Sequence, residues 1–307
     1  MPRVVLAALL LEAAVGYPAA LHARIPHPVV WIGRLIGFLE TSWNNTHYSD
    51  RWRRLSGCAT VGVVLGLVAG VGVIIEILAG KLSFGWLLIA VIGTLGLAQR
   101  SLYEHVRNVL VSLRAANLTA ARERVSYIVG RDTASLDESG VAAAALESLA
   151  ESFNDGVLAP AFWFLVAGLP GLFAYKALNT ADSLIGHKEV RWRAFGWAAA
   201  RADDIANLVP ARLSGVLLAL AGRGGFAVMC RDASKHASPN AGWPEAAMAG
   251  ALRIQLGGPA TYDGVVHLRP VFGSGSAARV DDLARGLRIY IRACVLMWLL
   301  ILMVGVV

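Results

Sequence analysis

Residues 58–79 carry a single charged side chain, Glu76, in an otherwise apolar run. A helix needs about 20 such residues to cross the hydrocarbon core of a bilayer, so this run places the chain in lipid. Three other runs, 4–21, 82–98 and 293–307, read the same way. The first is interrupted by Glu12, Gly16 and Pro18. It lacks a small-residue cleavage pattern and is expected to be a retained span. Only Gly80-Lys81 joins the second and third runs, which predicts a tight hairpin. Gly62, Gly66 and Gly70 form a small-residue ladder of the kind that permits close helix contact. Residues 157–178 are long enough to cross, but Gly168-Leu169-Pro170-Gly171 interrupts them. Proline removes a helix hydrogen bond and clashes with the preceding turn, so a re-entrant pair of half-helices is expected. Near 208–221 the clean apolar part, 213–221, is too short to cross.

Composition agrees. The chain is 56% hydrophobic and 16% charged, against about 45–50% and 25% for a soluble domain. The net charge of +7 comes largely from arginines beside the apolar runs, where they set topology and meet anionic headgroups. No basic stretch interleaves with aromatics, which argues against a nucleic-acid partner. Arg51, Arg53 and Arg54, the arginines from 100 to 131, and Lys188 to Arg201 all lie on one side if 157–178 re-enters. The expected fold is therefore an all-α, polytopic membrane domain spanning 1–307. It has four crossings, a re-entrant pair and a cytoplasmic-face portion from 99 to 292. Three scattered cysteines suggest neither a disulfide framework nor a metal site.

Ionisable residues beside apolar runs are the functional candidates, because desolvating them is costly. Glu147, Glu151 and Asn154 are spaced to share one helix face, with Asp155-Gly156 expected to end that helix. Two carboxylates and an amide suit a divalent cation or a general base, or simply a solvated face. Lys176, Asn179 and Asp182 leave the broken run together. Arg201, Asp203, Asp204, Asn207 and Arg212 form a further group. It suits magnesium against phosphate oxygens, or an ordinary Arg–Asp pair on a helix. Arg131 is a candidate phosphate fork and Asp137 a helix cap. His236 to Glu245, including Ser238 and Asn240, feeds a helix with Pro244 in its first turn, expected to run to about Leu256. That loop is an anion site or a cap. His27, after the first run, reads more as a structural hydrogen-bond partner than as a catalyst. No P-loop, zinc pair, nucleophile elbow or dinucleotide fingerprint is present.

Taken in order, these motifs resemble the adenosylcobinamide-phosphate synthase family, the CobD/CbiB membrane proteins of cobalamin biosynthesis. The likeness runs through His27-Pro28-Val29 with Gly33-Arg34, then Gly130-Arg131-Asp132-Thr133 and Glu147-Ser148-Leu149-Ala150-Glu151. It continues in Asp155-Gly156-Val157, Tyr175-Lys176-Ala177 with Asn179-Thr180, and Asp182-Ser183 with Gly186-His187-Lys188. Ala200-Arg201 with Asp203-Asp204, Pro210-Ala211-Arg212, Ser238-Pro239-Asn240, Leu256-Gly257-Gly258 and Tyr262-Asp263-Gly264 follow. The sequence departs at Gly16-Tyr17-Pro18, where the family usually has Gly-Asp-Pro, and at Ser152, where it has Asn.

The resemblance implies an acid–amine ligase. 1-Aminopropan-2-ol or its O-phosphate would be joined to a propionate of adenosylcobyric acid, with ATP and magnesium, at the cytoplasmic face of the inner membrane. Other late cobalamin enzymes of the membrane would be partners. Catalytic candidates are Glu147, Glu151, Asp155 and Asp204. Substrate and phosphate contacts fall to His27, Arg131, Lys176, Asn179, Lys188, Arg201, Arg212, Ser238 and Asn240. Metal ligands fall to Glu147, Glu151, Asp182, Asp203, Asp204 and Asn207. Two alternatives are an AmpE-like non-catalytic membrane sensor and a magnesium-dependent prenyl transferase. The acidic clusters weigh against the first, and the lack of a good second aspartate-rich motif against the other.

Overall fold

The computed structural model describes residues 1–17 and 26–306. The chain divides into two compact units. One comprises residues 1–98, 159–207 and 301–307, the other 99–158 and 208–300.

The first unit is built from α1 (Pro2–Val15), α2 (Pro28–Trp43), α3 (Asp50–Ala79), α4 (Gly85–Gly93), the broken helix α5 (Ala159–Ile185) and α6 (Trp197–Ala206). Ser49 caps α3 by accepting from the Trp52 N–H at 3.4 Å. Along α3 the side chains of Val63, Leu67, Val71, Ile74 and Leu78 are exposed, while Val61, Val64 and Val68 are buried. An apolar stripe facing outward along such a helix has no stable place in water and fits lipid. The turn after α3 forms at Gly80, as the short Gly80-Lys81 link requires.

The glycine ladder does not do what its spacing suggests. Among the described residues, nothing lies within 4 Å of a Cβ built at Gly62, Gly66 or Gly70. They point away from the packed side of α3, whose close approaches are at Gly57 and Gly72. A Cβ on Gly57 would run into the Phe195 carbonyl, and one on Gly72 would lie 2.7 Å from the Pro170 nitrogen.

The expected break in 157–178 is present. Ala167 and Gly168 leave helical geometry, with Gly168 at φ 64°, a conformation glycine tolerates at little cost. The half-helix that restarts at Leu169-Pro170 donates the Leu169 N–H to Oε1 of Glu76 at 2.8 Å. A carboxylate thus satisfies one of the orphan donors of the new N-terminus.

The second unit contains α7 (Gln99–Arg114), α8 (Leu118–Ser126), α9 (Glu138–Phe153), α10 (Leu208–Gly222), α11 (Phe226–Asp232), α12 (Gly242–Leu252) and, up to residue 300, α13 (Val280–Val304). Asp137 caps α9 through the Gly140 N–H at 2.7 Å, as expected. Asp155-Gly156 does not end that helix. A π-helical turn, Asn154–Leu158, carries the chain on instead, absorbing the extra residue rather than unwinding. α12 stops at Leu252, because Arg253 takes a left-handed conformation at φ 60°. That is four residues before the expected end.

The all-α expectation needs a correction here. Between α12 and α13 lie two short antiparallel ladders. β1 (Leu256–Gly257) pairs with β4 (Val271–Phe272), and β2 (Ala260–Tyr262) pairs with β3 (Val265–His267). Glycines at positive φ (Gly257, Gly258, Gly264 and Gly273) make the turns that let so short a segment fold back.

Among the described residues, four stretches are long and apolar enough to cross a membrane: Asp50–Ala79, Gly85–Arg114, Glu138–Ile185 and Val280–Val304. The chain is a multi-pass membrane protein. Its set of long apolar helices differs from the expected one. Glu138–Ile185 joins it, whereas α1 has 14 residues, too few to cross alone. The remainder of the 4–21 run, from residue 18, lies outside the described residues.

Candidate functional site

The second unit holds a cavity of about 310 Å³ lined by polar side chains. Three separate pieces of sequence build it: the 128–131 segment, α9, and the stretch from His236 to Arg269. The loop before α9 is fastened to the β2–β3 ladder. Asp132 donates its N–H to the Thr261 carbonyl at 2.8 Å, and its Oδ2 accepts the Gly264 N–H at 2.8 Å. Ser148 Oγ donates to the Ile128 carbonyl at 2.7 Å, holding the loop to α9.

Glu147 is the electrostatic centre. It is 2% exposed. Oε2 accepts from the Arg131 guanidinium and lies 3.2 Å from Arg269 Nη2, while Oε1 accepts the Gly257 N–H at 2.8 Å. Arg131, expected to fork onto phosphate, is thus already held by Glu147. Glu151, one turn on, is exposed and lines the cavity.

The third carboxylate is Glu245, in the first turn of α12 and 1% exposed. Oε1 lies 3.8 Å from His236 Nε2, and Oε2 lies 3.8 Å from Arg269 Nη2 without a hydrogen-bond donor. Burial, and then the nearby Glu151 and Glu147 carboxylates, push the Glu245 carboxyl well above its usual range. His236 stacks on Phe272, with ring centroids 6.0 Å apart. Burial disfavours its charged form and lowers its pKa, against an opposing hydrogen bond with the Ser238 backbone.

The 236–245 loop is largely self-supporting. Ser238 Oγ accepts from the N–H groups of Asn240 and Ala241 at 3.2 and 3.4 Å, which is capping. Arg212 donates to Asn240 Oδ1 at 3.3 Å and lies over the Trp243 ring at 4.8 Å, so these two phosphate candidates meet each other. Behind the loop, the fully buried Asp232 receives Arg231, Lys235 and the Gly273 N–H. The Arg231 hydrogen bond, then Lys235 and Gly273, overcome burial and hold the Asp232 carboxyl below its usual range.

The remaining candidates, Asp155 apart, belong to the first unit. Asn207 donates to Asp203 Oδ2 at 3.0 Å and accepts from the buried Tyr175 hydroxyl at 3.0 Å. Arg201 meets Asp204 at 3.3 Å, the ordinary helix pair allowed for by the spacing. Lys176, Asn179 and Asp182 follow one another along the second half of α5, and Lys188 acts electrostatically on Asp204. Asp155 accepts from Asn154 at 2.7 Å in the π turn of the second unit. His27 caps α2 by accepting the Val29 N–H at 3.3 Å, a structural role.

Sequence reasoning named His236 and Glu245 within a motif without choosing them, and did not single out Arg269. Arg269 sits in an irregular segment with no periodicity to mark it.

A profile of the CobD/Cbib protein family matches residues 5–290. The chain belongs to this family. Among its relatives is "Cobalamin biosynthesis protein CobD" of Rhodobacter capsulatus, 48% identical over 303 residues, covering 96% of this chain and 95% of the relative. The protein of the same name from a Sinorhizobium species is 49% identical over 302 residues, 94% of each chain. That of Rhizobium meliloti is 44% identical over 302 residues, 94% of this chain and 92% of its own. No solved structure matches. The family match extends over both units.

Proposed function

We propose that this chain is the acid–amine ligase of its pathway. It would join 1-aminopropan-2-ol, or its O-phosphate, to a propionate carboxylate of adenosylcobyric acid, working at the cytoplasmic face of the inner membrane. Its role in cobalamin biosynthesis rests on the family and on the names of its relatives. The observation that carries the ligase reading is the cavity, where three carboxylates, two guanidiniums and an imidazole converge. Its volume of about 310 Å³ is at the small end for a ligand site. It takes a small amine and the tip of a propionate, not a corrin ring.

Chemically, amide formation needs a neutral amine, an electrophilic carboxyl carbon and stabilisation of developing negative charge. Arg269, anchored between Glu147 and Glu245, supports the last of these. Bound ATP would supply the phosphoryl group that activates the carboxylate. The donor set fits magnesium only in a limited way. Glu147 spends both oxygens on Arg131, Arg269 and Gly257. Among the described residues no group of three or more His, Cys, Asp or Glu side chains is placed to hold a metal. Magnesium carried on nucleotide phosphates needs only one or two carboxylates. Asp203 and Asp204 are the candidates for that contact, with Lys188 and Arg201 beside them for phosphate.

The test is an assay of the purified full chain in detergent with adenosylcobyric acid, ATP, magnesium and each amine. A new corrinoid amide is expected with one of them. No amide with either amine overturns the ligase assignment. Asp204→Ala should abolish turnover while the protein still inserts and purifies. Full activity in that variant removes Asp204 from the proposed magnesium contact.

A further inference from the structure

The ligase reading leaves open which group frees the amine of its proton. Glu147 is disqualified by its bonding, since both oxygens are committed to two arginines and a backbone N–H. Glu151 lines the cavity too, but it is exposed, so water can satisfy its oxygens. Glu245 differs from both. It is 1% exposed, it lines the cavity, and its Oε2 has no hydrogen-bond donor among the described residues. A buried carboxylate oxygen without a donor is costly to leave unmatched, and an ammonium group would satisfy it.

Its neighbour supplies a way out for the proton. His236 Nε2 lies 3.8 Å from Glu245 Oε1, and the His236 side chain is 17% exposed against 1% for Glu245. His236 Nδ1 lies 2.9 Å from the Ser238 N–H and 3.3 Å from the Ser238 carbonyl. It can therefore accept from one or donate to the other, so either tautomer of the ring is satisfied. A histidine content with a proton on either nitrogen is suited to relay.

We propose that Glu245 is the catalytic base that takes a proton from the substrate's ammonium group, and that His236 carries this proton from the buried carboxylate towards solvent. This rests on the ligase reading. The ammonium loses one proton to Glu245 Oε2 and becomes a neutral amine. The nitrogen lone pair forms the C–N bond to the activated carboxyl carbon. The bond from that carbon to the leaving oxygen breaks, and the second nitrogen proton departs with the leaving group. Glu245 then passes its proton to His236. The groups facing Glu245 are Glu147 and Glu151 from α9, Arg131 from the loop before it, Arg269 from the segment after β3, and His236. Burial and the neighbouring Glu151 and Glu147 carboxylates push the Glu245 carboxyl upward, which favours its holding a proton once it has taken one.

The test compares two acceptors in the same assay. One is whichever aminopropanol the wild type accepts. The other is hydroxylamine, which is already neutral at assay pH and needs no base to become a nucleophile. Glu245→Gln should slow amide formation with the aminopropanol by about 100-fold or more while hydroxamate formation falls less than about threefold. His236→Gln should show the same selectivity at about tenfold on the amine reaction. Equal losses with both acceptors would make Glu245 structural and overturn the proposal, as would no loss with either. If Glu245→Gln does not purify as a single species, Glu245→Asp and His236→Gln carry the same comparison. A wild type that makes neither amide nor hydroxamate defeats the ligase reading and the proposal with it. An active wild type with unselective variants defeats the proposal alone.

Discussion

Glu147→Ala is the sharpest perturbation of the cavity. The carboxylate it removes is 3% exposed, and it faces Arg131 and Arg269 side chains only 10% and 19% exposed. Deleting one partner of a buried ion pair costs about 3–5 kcal/mol, because the other charge is left uncompensated. Here two guanidiniums lose their anion, and the Gly257 N–H loses its acceptor. Arg269 keeps Glu245 at 3.8 Å, which tempers the loss. We expect about 4 kcal/mol. At about 2–4 °C per kcal/mol for a sizeable domain, the unfolding midpoint in detergent should drop on the order of 10 °C. Near-UV circular dichroism through a thermal ramp measures this. The diagnostic step is the double variant Glu147→Ala with Arg131→Met, which removes one stranded charge together with its partner. It should regain about 1.5 kcal/mol or more relative to Glu147→Ala alone. A midpoint within about 2 °C of wild type, or a double variant no better than the single one, would refute the view that Glu147 holds the arginines.

Three further outcomes follow from the geometry. Glu76→Leu strips the Leu169 N–H of its acceptor at the broken helix and should cost about 1–3 kcal/mol by thermal unfolding; an unchanged midpoint would show that the break needs no cap. Gly57→Ala places a methyl against the Phe195 carbonyl and should destabilise by at least about 1–3 kcal/mol, while Gly66→Ala, with open space around it, should be nearly silent. Asp232 titrates below its unfolded value, so its contribution is present above about pH 4 and is lost as pH falls through the lowered folded value; Asp232→Asn should flatten the acid limb of the stability curve, and an unaltered limb would exclude it.

What the sequence disclosed depended on whether a signal was local. The length of 58–79 and the Gly-Leu-Pro-Gly at 168–171 forecast a crossing-length helix and its broken neighbour, because backbone chemistry decides both. Asp137 was legible as a cap for the same reason. The glycine ladder misled, because spacing reveals that three glycines share a face but not which way the face points. Asp155-Gly156 reads as a stop, yet a π turn costs less here than ending a helix whose next residues are apolar. Arg269 was not singled out, and Glu245 was named only as the end of a loop motif, because their meaning is wholly tertiary. Strands of two or three residues show no alternation, and a carboxylate beside a proline at a helix start looks like a dipole partner.

The irregular segment from 256 to 272 explains why a helical bundle should interrupt itself. A guanidinium delivered from a helix would need its own anchoring pair. Here the backbone does that work: the Gly257 N–H binds Glu147, the Gly264 N–H binds Asp132, and the Thr261 carbonyl accepts from Asp132. Each anchor ties the segment to the start or the face of α9, so Arg269 arrives at a fixed place between Glu147 and Glu245. Glycine at 257 and 264 is needed because both sit at positive φ, where other residues are strained. The most heavily bonded acid of the pocket, Glu147, thus serves as scaffold, and the buried acid left without a donor, Glu245, is the one free for chemistry. A site whose positioning groups are saturated and whose reactive group is not is the arrangement preorganisation requires.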